Sequence, residues 1–178
     1  VVDPSRNRRS VNYHPPVLMP LPPRILLADC DAMFVAVARM EDPDGAGRSP
    51  LLVVGGSATS RGVVCSASYE VRAYGVRSGM PIARAARLCP AAMFVPVPRH
   101  ACGRKSRQLA EVLRVWSPVV EAASIDEFYL DLSGTELVYA GEGLDATARR
   151  IRSAAHEATG LPLSIGGAII ALILSQLP

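Results

Sequence analysis

Lysine is nearly missing from this chain. Lys105 is the only one, and every other member of the 19 Lys and Arg residues is arginine. Arginine is the better bidentate ligand for phosphate, although arginine dominance also follows from genomic base composition. Against 16 Asp and Glu the formal net charge is only +3, which permits a polyanionic partner without demanding one. Metal-type cysteine spacing is absent too. Cys30, Cys65, Cys89 and Cys102 form no Cys-x-x-Cys pair, and no histidine is placed to complete a zinc set. Scattered buried thiols in a reducing compartment are the expectation. No apolar run ahead of a small-residue cleavage site marks a secretory signal. The apolar stretch from Ala168 to Leu174 is too short to cross a bilayer. The expected location is therefore cytoplasmic, with no membrane partner. An initiating methionine is also missing: the chain starts at Val1, as a fragment or a processed product would.

What is present is an apolar fraction of 49% in 178 residues, enough for a sizeable core in one domain or two small ones. The first 23 residues are rich in Pro, Arg, Asn and Ser, and they read as an extended, solvated arm. Two places then stand out. Ile25-Leu26-Leu27-Ala28-Asp29-Cys30-Asp31 is an apolar strand ending in acids, and Ser124-Ile125-Asp126-Glu127-Phe128-Tyr129-Leu130-Asp131 sets two carboxylates inside a β-favouring run. Successive strand side chains point to opposite faces, so Asp126 and Glu127 converge only near a strand end or bulge. Either segment alone fits a capped turn or a solvated strand end. Together they predict a cluster of carboxylates that repel one another unless a divalent cation neutralises them, and oxygen-only ligands suit magnesium.

The remaining pattern predicts a helix over Met33 to Glu41, stopped by Asp42-Pro43-Asp44-Gly45, and short strands at Leu51 to Val54 and Arg61 to Ala67. A helical turn follows at Tyr69 to Gly75, then a helix begun by Met80-Pro81 and ended by Cys89-Pro90, and an extended piece at Phe94 to Val97. Leu109, Val112, Leu113 and Trp116 make one stripe of an amphipathic helix from about 101 to 116, whose first turns carry a basic face of Arg104, Lys105 and Arg107. Strands at Val119 to Ile125 and Glu127 to Leu132, a helix over Leu144 to Ala158 and a strand from Leu163 complete the order. Without the middle, this is strand, helix, strand, strand, helix, strand: an α+β, ferredoxin-like arrangement with residues 33–97 inserted after the first strand.

Three ordered blocks then carry a resemblance. Asp29-Cys30-Asp31-Ala32-Met33-Phe34, Tyr69-Glu70-Val71-Arg72 and Ser124-Ile125-Asp126-Glu127 resemble the Y-family translesion DNA polymerases, most of all their polymerase IV branch. Ala67-Ser68-Tyr69 and Tyr74 to Pro81 extend the likeness, which covers about Arg24 to Gly166. It implies a catalytic palm at 24–32 and 98–167 with fingers at 33–97. It further implies two magnesium ions held by Asp29, Asp126, Glu127 and the backbone carbonyl of Cys30, with Asp31 structural. Phe34 falls at the position of a steric gate against the ribose 2′-hydroxyl, and Tyr69 and Arg72 at the positions that grip the incoming triphosphate. The implied partners are primer-template DNA and a dNTP, and the implied reaction is transfer of a nucleotide to a primer 3′-hydroxyl.

After Gly166 the pattern is lost. The family continues into a thumb and a little-finger domain, whereas this chain runs through the apolar Ala168 to Leu174 and stops at Pro178. The tail reads as a core helix or as the product of a shifted reading frame. The expectation is a polymerase truncated after the palm, with weak or no activity alone and a protein partner as a source of the missing DNA grip. The alternative is a non-catalytic, polymerase-like binding module. A nucleotide cyclase is a more remote third, disfavoured by Tyr69, Arg72 and the insert.

Overall fold

The computed structural model describes residues 24–139 and 142–167. The arm at 1–23 and the tail at 168–178 lie outside the described residues. The described elements, in chain order, are β1 (Ile25–Cys30), α1 (Met33–Glu41), β2 (Leu52–Val54), β3 (Ser66–Ala67), α2 (Tyr69–Arg72), α3 (Ile82–Leu88), β4 (Met93–Val95), α4 (Arg99–Trp116), β5 (Val119–Ala122), β6 (Glu127–Asp131), α5 (Leu144–Thr159) and β7 (Leu163–Gly167).

A continuously apolar strand is buried on both faces, and β1 is such a strand. Ile25, Leu26, Ala28 and Cys30 are all buried, and β1 lies inside a four-stranded sheet of order β5-β6-β1-β7. Every neighbouring pair in that sheet is antiparallel. This is the split βαβ order, with α4 and α5 as its two helices. Leu109 and Leu113 of α4 and Ile151 and Ala155 of α5 are buried in one core with Leu26, Phe128 and Leu130 of the sheet. Each of those leucines, replaced by alanine, costs about 2–5 kcal/mol.

Between β1 and α4 lies a smaller sheet, β3-β2-β4, with its own core of Val53, Val64, Val71 and Ile82. Helix α1 joins the two bodies. Met33 and Val37 enter the larger core, whereas Val35 and Ala38 pack with Leu52 and Val54 of β2. Met40, near the end of α1, is 36% exposed. It lies over Gly160, which ends α5 in the left-handed conformation at φ 72°, as a C-terminal glycine should.

The strand expected at Arg61 to Ala67 shrinks to Ser66–Ala67. Its first half finds other partners: Val64 N–H donates to the Met80 carbonyl, Gly79 N–H to Val64 and Ile82 N–H to Gly62. The basic face expected on α4 is also altered. Lys105 Nζ donates to the Thr159 carbonyl at 2.6 Å, Gln108 Nε2 to the Ala158 carbonyl at 2.8 Å, and Arg104 pairs with Glu41 at 3.3 Å. The single lysine thus caps the C-terminal end of α5, where cations are favoured.

Candidate active site

The two acidic segments meet because β1 and β6 are neighbours. In their register Asp29 stands opposite Glu127 and Ala28 opposite Phe128. Beyond that pair the hairpin leaves strand geometry. Strand β5 stops at Ala122, earlier than expected, and β6 begins at Glu127. The amides of Ala123 and Ser124 both donate to the Glu127 carbonyl, so Asp126 sits in the loop and not on the strand. The Asp126 carbonyl accepts the Cys30 amide at 2.9 Å, which fastens the loop to the end of β1. This loop frees Asp126 from the alternation that would have turned it away from Glu127.

The charges interact. Burial pushes the Asp29 carboxyl above its ordinary range, repulsion from Asp126 and then Asp31 adds to this, and the neighbouring Glu127 side chain pulls the other way. The Cys30 thiol is pushed up to about 12, first by burial and then by Asp126, Asp29 and Asp31. It is packed in the core, so its sulfur takes no part in ligation at neutral pH. Asp31 is tied elsewhere: Ser164 Oγ lies 2.9 Å from each of its carboxylate oxygens, and its amide donates to the Pro162 carbonyl. Asp31 therefore links the end of β1 to β7. Ser124 Oγ donates to Asp126 Oδ1 at 2.5 Å and accepts the Asp126 amide. Ser124 and Ser164 were not singled out in the sequence. The signal was local for Ser124, a hydroxyl two residues before an aspartate, and invisible for Ser164, which is 133 residues from its partner.

The other expected residues stand on neighbouring elements. Ala32, between Asp31 and α1, adopts φ 48°, ψ 46°, a left-handed conformation uncommon outside glycine and a marker of local strain. Two residues on, Phe34 is half-buried and touches both the larger core and the α1–β2 core. Tyr69 is 61% exposed. The Arg72 guanidinium lies 4.5 Å from the Tyr69 ring centre, and its Nε donates to the Ala67 carbonyl at 3.0 Å. Tyrosine and arginine are thus held as a stacked pair on α2. Among the described residues no hydrogen bond or ion pair links Arg72 to the acids.

The donor set is made of hard oxygens, and among the described residues no arginine or lysine forms an ion pair with Asp29, Asp31, Asp126 or Glu127. Among those residues no group of three His, Cys, Asp or Glu side chains is placed to hold a metal ion. One or two carboxylates are what magnesium takes from a protein, with water and substrate phosphate completing its shell.

Fold and site together define a class: a ferredoxin-like domain whose central strands end in carboxylates, carrying a small α/β insert. The chain belongs to the impB/mucB/samB family, whose sequence pattern matches residues 28–173. That match runs past Gly166, where the sequence reading lost the likeness. Relatives named DNA polymerase IV include one from Alkalilimnicola ehrlichii, 43% identical over 80% of this chain and 39% of the relative. Another, from Desulfatibacillum aliphaticivorans, is 43% identical over 71% of this chain and 31% of the relative. Among solved structures, DinB from Sulfolobus solfataricus superposes with a TM-score of 0.70 at 30% identity, over 82% of this chain and 42% of that one. An insertion ternary complex of Dbh DNA polymerase gives 0.69 at 30% identity, over 81% and 42%. A Y-family DNA polymerase chimera gives 0.71 at 29% identity, over 80% and 41%. The likeness to Y-family polymerases read from the three sequence blocks is thereby shown. The chain spans about two fifths of the length of most of these relatives.

Proposed function

We propose that this chain carries the nucleotidyl-transfer centre of a translesion-type DNA polymerase, with residues 24–32 and 98–167 as palm and 33–97 as fingers. The observation that supports this most is the β1–β6 register that sets Asp29 opposite Glu127 with Asp126 in the adjoining loop. In this reading Asp29, Asp126 and Glu127, with the Cys30 carbonyl, hold two magnesium ions. Bound there, such ions supply charge neutralisation at the primer 3′-hydroxyl and at the leaving pyrophosphate.

The protein's own groups do the rest. Ser124 holds one oxygen of Asp126 and leaves the other free for a ligand. Arg72, already stacked on Tyr69, offers its forked donors to the triphosphate of an incoming dNTP. Phe34, wedged between two cores, is rigid enough to reject a ribose 2′-hydroxyl by collision. Primer-template DNA lies across the same face, with additional grip from further domains or a protein partner. The reading is tested by offering the chain a primer-template, magnesium and one dNTP. Insertion of a nucleotide that Asp126→Asn abolishes is the expected result. The open, three-ligand-poor geometry of the acids favours a second reading, a non-catalytic binding module. Magnesium-dependent triphosphate binding without insertion would select it.

A further inference from the structure

The Pro50 carbonyl occupies a joint between the two halves of the candidate nucleotide site. It accepts Ser68 Oγ at 2.7 Å and Arg39 Nη2 at 3.3 Å. The same Arg39 nitrogen donates to the Ser49 carbonyl at 3.0 Å. Arg39 stands on α1, between one and two turns beyond Phe34. Ser68 is buried at 2% exposure and starts α2. Its carbonyl accepts the Arg72 amide at 3.1 Å and its amide donates to Leu52 at 2.9 Å, while its hydroxyl accepts the Leu52 amide at 3.3 Å. One acceptor is thus shared between the helix that bears Phe34 and the residue from which Tyr69 and Arg72 are aimed.

A second observation marks Arg39 as more than filler. Its Nε is buried and has no hydrogen-bond partner, and a desolvated unpaired donor is a liability that a lysine or methionine would avoid. What arginine gives in return is a terminal Nη2 whose two N–H groups reach two successive carbonyls, held in place by the planar head behind it. The carboxylate of Glu70, beside Tyr69, is held low chiefly by its own amide, with the Arg39 charge a minor contributor.

We propose that Arg39 and Ser68, acting through the Pro50 carbonyl, are positioning residues for the triphosphate grip. They fix the Tyr69–Arg72 pair relative to α1 and the sugar-facing Phe34, and their loss weakens dNTP capture without slowing chemistry. The inference rests on the function proposed above.

The test is single-nucleotide insertion by the full chain, with KM for dNTP and kcat measured separately and unfolding midpoints recorded alongside. Arg39→Met and Ser68→Ala are each expected to raise KM about tenfold, the scale of one well-placed hydrogen bond, with kcat within about twofold. Arg39→Lys, which keeps the charge and the donors but not the planar head that aims them, recovers part of the loss and keeps the comparison readable if the methionine variant unfolds. The double variant is expected to be no worse than the weaker single one, since both act through one acceptor. Unchanged KM, a fall in kcat at constant KM, or fully multiplicative losses would overturn the proposal. Failure of the underlying functional reading looks different: the wild-type chain itself would neither insert a nucleotide nor bind one, and the positioning role would fall with it.

Discussion

Asp29 shows at the scale of one residue how this site trades stability for chemistry. Its carboxyl is raised above the ordinary range by burial first, then by Asp126 and Asp31. A raised carboxyl favours the fold below its ordinary titration range, and that contribution is lost as pH rises through the folded value. At neutral pH without metal, the ionised Asp29 therefore works against folding. Asp29→Asn should raise the metal-free melting temperature at pH 7 and narrow the gap between pH 5 and pH 7, while removing metal-dependent function. An unchanged or lowered melting temperature would show that the charge is already compensated. Phe34 offers a second residue-scale expectation. Because it is braced by two cores, Phe34→Ala should admit ribonucleotides at a rate about 10-fold or more above wild type, at some loss of stability, about 3 kcal/mol at most for this half-buried ring. Unchanged sugar selection in insertion assays would remove Phe34 from the gate.

At the scale of elements, the joint between α4 and α5 carries a specific expectation. Lys105 and Gln108 reach the last carbonyls of α5, at Thr159 and Ala158, which would otherwise lack partners. Lys105→Met should lower the urea midpoint by the equivalent of about 1–2 kcal/mol with an unchanged m-value, and amide exchange should quicken first around residues 156–160. The role of Lys105 was not legible in the sequence, where Arg104, Lys105 and Arg107 read as a solvated face. Cross-helix carbonyls leave no trace in local spacing. The elements themselves were far more legible. Strand β1, α4 and α5 lie within a few residues of where periodicity put them, because each buries a continuous run or an evenly spaced stripe. Boundaries failed where backbone partners came from distant loops, as at Arg61 to Ala67, whose first half bonds to residues 79–82. The meeting of Asp29 with Glu127 was legible only as topology. Two apolar strands ending in acids suggested it, and the antiparallel register supplies it. Ser164, which steadies Asp31 from 133 residues away, needed the fold.

At the scale of the whole molecule, two cores share one helix. Residues of α1 enter both, so the acid cluster and the insert bearing Tyr69 and Arg72 are coupled through packing as well as through the Pro50 carbonyl. No helix among the described residues is long and apolar enough to cross a membrane. The four cysteines are free thiols among the described residues, with only Cys65 partly accessible. In the proposed reading, primer extension by these 178 residues alone should show few or no additions per encounter with DNA, and many additions per binding event would contradict that. Whether the acids at the end of β1 and at the start of β6 form one cation-dependent nucleotide site is decided most directly by titrating the chain with a fluorescent dNTP, with and without magnesium, for wild type and for Asp126→Asn with Glu127→Gln. Saturable binding that needs magnesium and is lost in the double variant is the predicted result. Binding that ignores magnesium, or that survives replacement of both acids, would contradict it.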